Sequence, residues 1–554
     1  MKVVVADKIT QRGIDLLREP GWEVVLPGAG ALAAELAGAD ALVVRSATRV
    51  TDELLEQAPR LRVIGRAGVG VDNIDLNAAT RRGILVMNTP GGNATSVAEH
   101  TLALLLALAR LVPQLNAAIH AGRWEKSGAP GIELRGKTLG LVGFGRVGSE
   151  VARRARALEL RVLAYDPYIS ESVAEEAGVE LVPLDELVSR SDFVSLHAAL
   201  SPATENLINA GSIAKMKRGA RLINTARGEL VDEAALAEAL RSGHLAGAAL
   251  DVFAVEPPRN SPLLDLPNVI ATPHVAGSTE EAQEEVGTQI AQEVRDYLAE
   301  GVMRNAVNLP TLSAEQYRRL RPYLELAERL GSLAAQVAAG RTGMLGRVRI
   351  IYAGEPAELG TRLLRSAVLA GVLNTVLDEK VNLVNSDAVA AARGLAVEER
   401  TRRREQGFPN TLEVAMTPMH SGPGEDAGGF SVEGTVLHGT APRILSIDGI
   451  EVEAPLEGVL LFFRNRDVPG VIGLVGTILG SRGINISTFA LGRREAVRGA
   501  EAVALVRLDG DVPDSIVLPI RSIEAITETC LVRLPGAAGA TPVSQSVSAR
   551  IGSE

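Results

Sequence analysis

Near residue 140 the chain reads LGLVGFGRVGSEVARRARAL, an apolar run that passes through Gly143, Gly145 and Gly148 into an amphipathic helical pattern. The spacing G-x-G-x-x-G is weak alone. Between a strand and a helix it constrains the fold, because the glycines allow a tight turn and bring a pyrophosphate against backbone amides at a helix N-terminus. The next strand pattern, VLAYD, ends in Asp166, 18 residues after Gly148, where a carboxylate can accept the two ribose hydroxyls of a dinucleotide. It would repel a 2'-phosphate, and no arginine follows it in DPYIS, so NAD is expected rather than NADP.

Around this segment, short β-branched runs alternate with helical ones. Before residue 95 they are VVVAD, ALVVRS, VIGRAG and ILVMN; after 138 come LGLVGFG, VLAYD, FVSLHA, RLINTAR, GAALDVF and NVIATPH. Alternation of this kind predicts two doubly wound parallel sheets, the first of four strands and the second of six, joined by a helix over Ala98 to Arg110. A helical pattern near 278–300 is expected to return the chain to the first lobe, making that lobe discontinuous. From about 313 the alternation stops, and helical stretches mix with strands in an α+β manner. A compact β-α-β-β-α-β-like pattern then runs from about 457 to 535, followed by small polar residues.

At 554 residues several domains are needed. The net charge of -10 argues against a nucleic-acid partner, which would require clustered lysine and arginine. The longest apolar run, Leu102 to Ala109, is too short to span a membrane, and no secretory leader is expected at the N-terminus, so the expected location is cytoplasmic. One cysteine, Cys530, leaves no disulfide framework and no metal site built on thiolates; no metal is expected.

Open parallel sheets bind ligands beyond the carboxyl ends of their strands. Those ends here carry Gly143, Asp166, His197, Thr225, Ala226, Arg227, Asp251 and His274. Oxidation of a secondary alcohol beside a carboxylate needs a base for the hydroxyl proton and a cation for the carboxylate. His274 suits the first, with Glu256 of DVFAVEPP placed to hold its ring and raise its pKa. Arg227 suits the second, through the planar fork of its guanidinium.

Through GFGRVG (143–148), NTARGELVDEAAL (224–236), GAALDVFAVEPP (247–258) and TPHVAGST (272–279), the chain resembles the D-2-hydroxyacid dehydrogenase family. RAGVGVDNID (66–75) and MNTPGGNA (87–94) extend the likeness to its long branch, which acts on D-3-phosphoglycerate. That resemblance implies His274 as acid/base, Glu256 as its support and Arg227 on the substrate carboxylate. It implies NAD contacts at Val69, Gly143, Gly145, Arg146, Val147, Gly148, Asp166, Ala198, Thr225, Ala226, Asp251 and Gly277. Substrate is placed against Gly68, Val69 and Gly70, with Asn93, Arg45 and Arg66; Lys126 is assigned to a neighbouring subunit's substrate.

The resemblance divides the chain into a flavodoxin-like substrate lobe (1–97 and 282–312), a Rossmann lobe (98–281), an intervening domain known as an allosteric substrate-binding module (313–453), a ferredoxin-like ACT domain (454–535) and a disordered tail (536–554). ACT domains bind amino acids between paired copies, which implies a homo-oligomer, a tetramer by expectation, with L-serine as effector near Asn465, Asp467 and Asn485. Two other readings stay open: a relative reducing glyoxylate, hydroxypyruvate or another keto acid, and a corepressor-like NADH sensor, which the ACT pattern fits poorly.

Overall fold

The computed structural model describes residues 1–28, 30–124, 130–310, 312, 314–342, 345–403, 407–418 and 429–536. The tail expected from 536 therefore lies, from 537 on, outside the described residues, as does Lys126.

Four sheets account for the fold. The first has five strands, β1 (Lys2–Val5), β2 (Glu23–Val25), β3 (Ala41–Val44), β4 (Val63–Arg66) and β5 (Leu85–Asn88), in the order β2-β1-β3-β4-β5 with every pair parallel. Sequence patterning predicts four of these. The fifth, β2, is a three-residue edge strand opening on a glutamate, too short and too polar to stand out by hydrophobicity.

The second sheet also exceeds expectation by one strand. It comprises β6 (Thr138–Val142), β7 (Arg161–Tyr165), β8 (Glu180–Leu181), β9 (Phe193–Leu196), β10 (Arg221–Asn224), β11 (Gly247–Leu250) and β12 (Val269–Ala271), ordered β12-β11-β10-β9-β6-β7-β8 and wholly parallel. The two-residue β8 at its edge is the addition. Central strands such as β4 and β9 are apolar and buried on both faces, as helices covering a parallel sheet require.

Two helices connect the lobes. The first, Ala94–Arg110, starts four residues earlier than patterning predicts, because Ala94, Thr95 and Ser96 show no apolar periodicity. The second, Glu280–Glu300, is capped by the Thr279 hydroxyl and ends at Gly301 with φ 74°. Its apolar stripe of Val286, Ile290, Ala291, Val294 and Leu298 joins the core of the first sheet, so the chain does return to the first lobe. There Asn88 N–H donates to the Asn305 carbonyl at 3.3 Å, and Met87 bridges Ala306. The outgoing and returning strands of chain are thus bonded where they cross.

The C-terminal half is built on antiparallel pairing, apart from the parallel β13–β14 pair at one sheet edge. A six-stranded sheet, β13 (Leu345–Ala353), β14 (Ala396–Thr401), β15 (Thr411–Pro418), β16 (Phe430–Leu437), β17 (Ala441–Ile447) and β18 (Ile450–Pro455), is covered by helices Ala314–Thr342 and Thr361–Val376. A four-stranded sheet follows, β19 (Val459–Arg466), β20 (Ile486–Arg493), β21 (Glu501–Leu508) and β22 (Ile526–Arg533), ordered β20-β21-β19-β22 with helix Val471–Gly480 between β19 and β20.

These two sheets share a core. Leu460, Phe462, Val503, Leu505 and Val532 of the last sheet pack in the same buried cluster as Leu330, Ala334 and Val348. Polar contacts reinforce the seam: Arg341 donates to Glu528 at 2.6 and 2.8 Å and to Asp448 at 3.1 Å, while Arg464 pairs with Asp448, Glu501 and Glu528. Among the described residues, no single helix is long and apolar enough to cross a membrane.

Candidate functional site

Because β6, β7, β9, β10, β11 and β12 are parallel, their carboxyl ends share one edge. Gly143, Asp166, His197, Thr225 and Asp251 are each the first residue beyond a strand, and His274 the third beyond β12. The edge foreseen in the sequence is therefore one physical feature.

At the glycine-rich turn, Gly143 has φ 95°, and a Cβ there would lie 2.7–2.8 Å from the 197–198 backbone. A Cβ on Gly148 would lie 2.4 Å from the Gly143 carbonyl oxygen. Both glycines are demanded by packing. Gly145 is different: it faces open space and caps helix Arg146–Ala157 without any side-chain hydrogen bond, leaving amides of the first turn for an anion. Asp166 accepts from Phe144 N–H and Tyr168 N–H, both at 2.9 Å, so its carboxylate stands at the rim of this turn. An uncapped helix N-terminus beneath a carboxylate fits a dinucleotide.

Across from it, His274 Nδ1 donates to Glu256 Oε2 at 2.8 Å. That hydrogen bond lifts the imidazole above the ordinary histidine value, outweighing burial, which acts the other way. Burial opposes the Glu256 charge too, but the bond from His274 and one from Phe253 N–H hold its carboxyl below the usual range. His274 has φ 54°, uncommon for a residue with a Cβ. Asp251 holds it there: wholly buried, its carboxylate accepts from the Thr272 hydroxyl at 2.6 Å, Val275 N–H at 3.0 Å and Ala276 N–H at 2.9 Å, and its carbonyl accepts from His274 N–H at 2.8 Å. His100, missed in the sequence, reaches the Thr272 hydroxyl at 3.2 Å from behind.

The third wall belongs to the first lobe. A Cβ on Gly68 would sit 1.7 Å from Arg66 Nη1, and one on Gly70 would sit 2.0 Å from Arg227 Nη2, so these glycines exist to let two guanidiniums lie over the loop. Arg227 pairs with Asp72 at 3.0 Å, and its turn is stapled by Asn224 Nδ2 to the Arg227 carbonyl at 2.8 Å. Burial, then the charge of Arg227, push Arg66 down to about 10, which leaves it cationic at neutral pH. Arg45 also faces Arg66, its backbone held by Asp7. Neither Asp72 nor Asp7 was foreseen; an acid beside a glycine-rich loop carries no distinctive spacing.

Other expected residues divide. Asn93 meets Gly277, whose Cβ would come within 2.7 Å of the amide, and Arg146 lies against Gly91 of the first lobe. Val69 is exposed, while Val147, Ala198 and Ala226 are partly buried. Thr225 is turned inward, its hydroxyl bonded to that of Thr101 at 2.8 Å. His197 is half-buried against the Ser195 hydroxyl at 2.9 Å with its Nδ1 out of solvent, and desolvation pushes it down to about 4, so it is neutral at neutral pH.

In the last sheet a cavity of about 290 Å³ is lined by Asn465, Asp467, Gly470, Val471, Leu491 and Arg493. Asn465 is 3% exposed, and its Oδ1 has no partner among the described residues. Asn485 is not there. In the register Asn465 and Arg493 both lie opposite Ala502, whereas β20 begins beyond Asn485 opposite Leu508. That puts Asn485 at the far end of the sheet, roughly 20 Å away at about 3.3 Å per residue, where it donates to Asp509. Sequence proximity to a strand start hid the direction of that strand.

A model of the D-isomer specific 2-hydroxyacid dehydrogenase NAD binding domain matches residues 102–276, and one of the D-3-phosphoglycerate dehydrogenase intervening domain matches 319–448. D-3-phosphoglycerate dehydrogenase of Methanocaldococcus jannaschii is 43% identical over 537 residues, covering 96% of this chain and 100% of the relative. That of Bacillus subtilis is 40% identical over 535 residues, with coverages of 96% and 100%. Among solved structures, a Thermus thermophilus protein is similar at 40% identity and a TM-score of 0.51, over 55% of this chain and 100% of its own. A glyoxylate reductase from Paecilomyes thermophila is similar at 30% identity and 0.51, over 55% and 98%.

The His274–Glu256 pair yields a sign that can be checked. With its folded pKa above the unfolded one, His274 contributes stability that is fully present below about 6.5 and is lost as pH rises through the folded value. Proton-exchange titration of the imidazole by NMR should show the Glu256→Gln variant titrating lower than the native chain; an unmoved titration would remove Glu256 as its partner.

Proposed function

The chain belongs to the D-3-phosphoglycerate dehydrogenases within the D-isomer specific 2-hydroxyacid dehydrogenase family, and on that premise we propose how its cleft works. It is an NAD-dependent oxidoreductase that converts D-3-phosphoglycerate to 3-phosphohydroxypyruvate, the first step of L-serine biosynthesis.

One observation supports the division of labour: Arg66 and Arg227 lie over the Gly68–Gly70 loop, with Arg45 within electrostatic reach of Arg66, and the His274–Glu256 pair completes the cleft. Arg227 grips the substrate carboxylate in the place where it now meets Asp72, a largely exposed partner that a substrate anion can displace. Arg66 and Arg45 receive the phosphate. His274 Nε2, the ring nitrogen away from Glu256, takes the C2 hydroxyl proton, and Glu256 stabilises the imidazolium so formed. NAD supplies the hydride acceptor when bound. Gly145, Arg146, Val147 and Asp166 hold it, with Val69, Ala198, Ala226 and Gly277 along its length; Thr225 and Asp251 act from behind the cleft, by shaping the turns that touch it. Asn93 closes the substrate side against Gly277.

In the last sheet, the 290 Å³ cavity supports an amino-acid site. We assign L-serine to it, its ammonium toward Asn465 Oδ1 and Asp467 and its carboxylate toward the uncapped N-terminus of helix Val471–Gly480 and Arg493. Asn485 joins this site only from a second copy of the chain, which is the argument for a homo-oligomer; a tetramer is the proposed state.

Two measurements follow. Arg66→Ala should raise KM for D-3-phosphoglycerate by about 10- to 100-fold, the scale of a charge-assisted hydrogen bond, while leaving KM for D-glycerate nearly unchanged. Equal effects on both would take Arg66 off the phosphate. Calorimetry on the full chain should detect L-serine, and Asn465→Ala should weaken that binding without altering NADH affinity; a native chain that binds no amino acid would reduce this domain to an assembly element.

A further inference from the structure

The carboxylate cradle depends on which way two peptide groups face. Gly68 has φ 148°, and its carbonyl accepts from Thr89 N–H at 3.0 Å. The next carbonyl, that of Val69, accepts from the side-chain amide of Asn88. Both carbonyls are thereby turned toward the end of β5. In a trans peptide the N–H points opposite to the C=O, and the only cis bond among the described residues is Glu256–Pro257. The amides of Val69 and Gly70 must then point away from β5. Neither has a hydrogen-bond partner among the described residues, and Gly70 is the residue whose absent Cβ makes room for Arg227 Nη2.

We infer that Asn88 is a positioning residue for the reaction: by donating to the Val69 carbonyl it aims the Val69 and Gly70 amides at the substrate carboxylate beside Arg227. The inference rests on the carboxylate being held at this loop, as proposed above. Thr89 fixes the first peptide through backbone alone, which any residue at 89 but proline supplies. The second peptide has no backbone donor and depends on the side chain at 88.

Asn88 is itself well anchored for the task. It pairs across β4–β5 with Arg66, its N–H donates to the Asn305 carbonyl, and Asn305 Nδ2 is bonded at 2.6 Å to Glu293, a carboxyl only 3% exposed on the returning helix. The donor that orients the cradle thus stands where the chain leaves the first lobe and touches the segment by which it comes back.

Asn88→Asp tests the idea directly, since it keeps the shape of the side chain and replaces the N–H donor with an oxygen that repels the Val69 carbonyl. Steady-state kinetics on the full-length enzyme should show KM for D-3-phosphoglycerate raised about tenfold or more, the worth of one hydrogen bond in a preorganised site, with NADH affinity and unfolding temperature near those of the native enzyme. Asn88→Ala should be similarly impaired, and Asn88→Ser, which retains a small donor, should recover part of the loss. The inference is overturned if the Asp variant keeps the native KM, or if KM rises only in step with lost NADH affinity or lost thermal stability across all three variants. A native chain that does not oxidise D-3-phosphoglycerate would instead count against the substrate reading, whatever the variants do.

Discussion

The glycine-rich turn and the His274 side of the cleft are delivered by one geometric constraint, the parallel alignment of the seven strands of the second sheet. Crossover connections of a single hand bring each strand back in the same direction, so every strand ends at the same edge. A loop leaving any of them therefore starts beside the loops leaving the others. The glycine-rich turn, Asp166, Arg227 and His274, to which the proposal gives pyrophosphate, ribose, carboxylate and proton, come from separate stretches of sequence. None needed to evolve a special route to the cleft.

What the edge cannot do alone is hold its loops still, and buried polar groups do that work. Asp251 is the clearest case: a carboxylate wholly out of water, satisfied by one hydroxyl and two amides, and spanning the turn that contains His274. A buried charge without those partners would be strongly destabilising, so the turn and the acid specify each other. The strained φ of His274 is the visible result. Thr225, its hydroxyl bonded to that of Thr101, is a second such support one layer behind the surface.

Long-range features were legible in the sequence and short-range partners were not. The glycine spacing, the strand-terminal residues and the Glu256–His274 pair could be read because each follows from a period or from a strand's direction. The edge strands β2 and β8 escaped because three and two residues carry no period. Asp72, Asp7 and Asn88 escaped because their roles are hydrogen bonds between loops that sequence does not place side by side. Asn485, read as a strand start, does not line its own chain's cavity, since β20 runs in the same direction as β19 and begins at the sheet's other end.

The shared core of the last two sheets bears on how the C-terminal half can behave. Phe462 and Val503 face the same interior as Leu330, and Arg341 and Arg464 tie their rims together, so neither sheet has a free face on which to slide over the other. The pair meets the catalytic half where Asn382 Nδ2 donates to the Gly83 carbonyl at 2.8 Å, Val384 enters the core of the first lobe, and Val302, Met303 and Leu309 pack against the shared core. Gly83 belongs to the turn that feeds β5. Whatever displaces the joined sheets through Asn382 therefore reaches the first lobe at the start of the strand that carries Asn88.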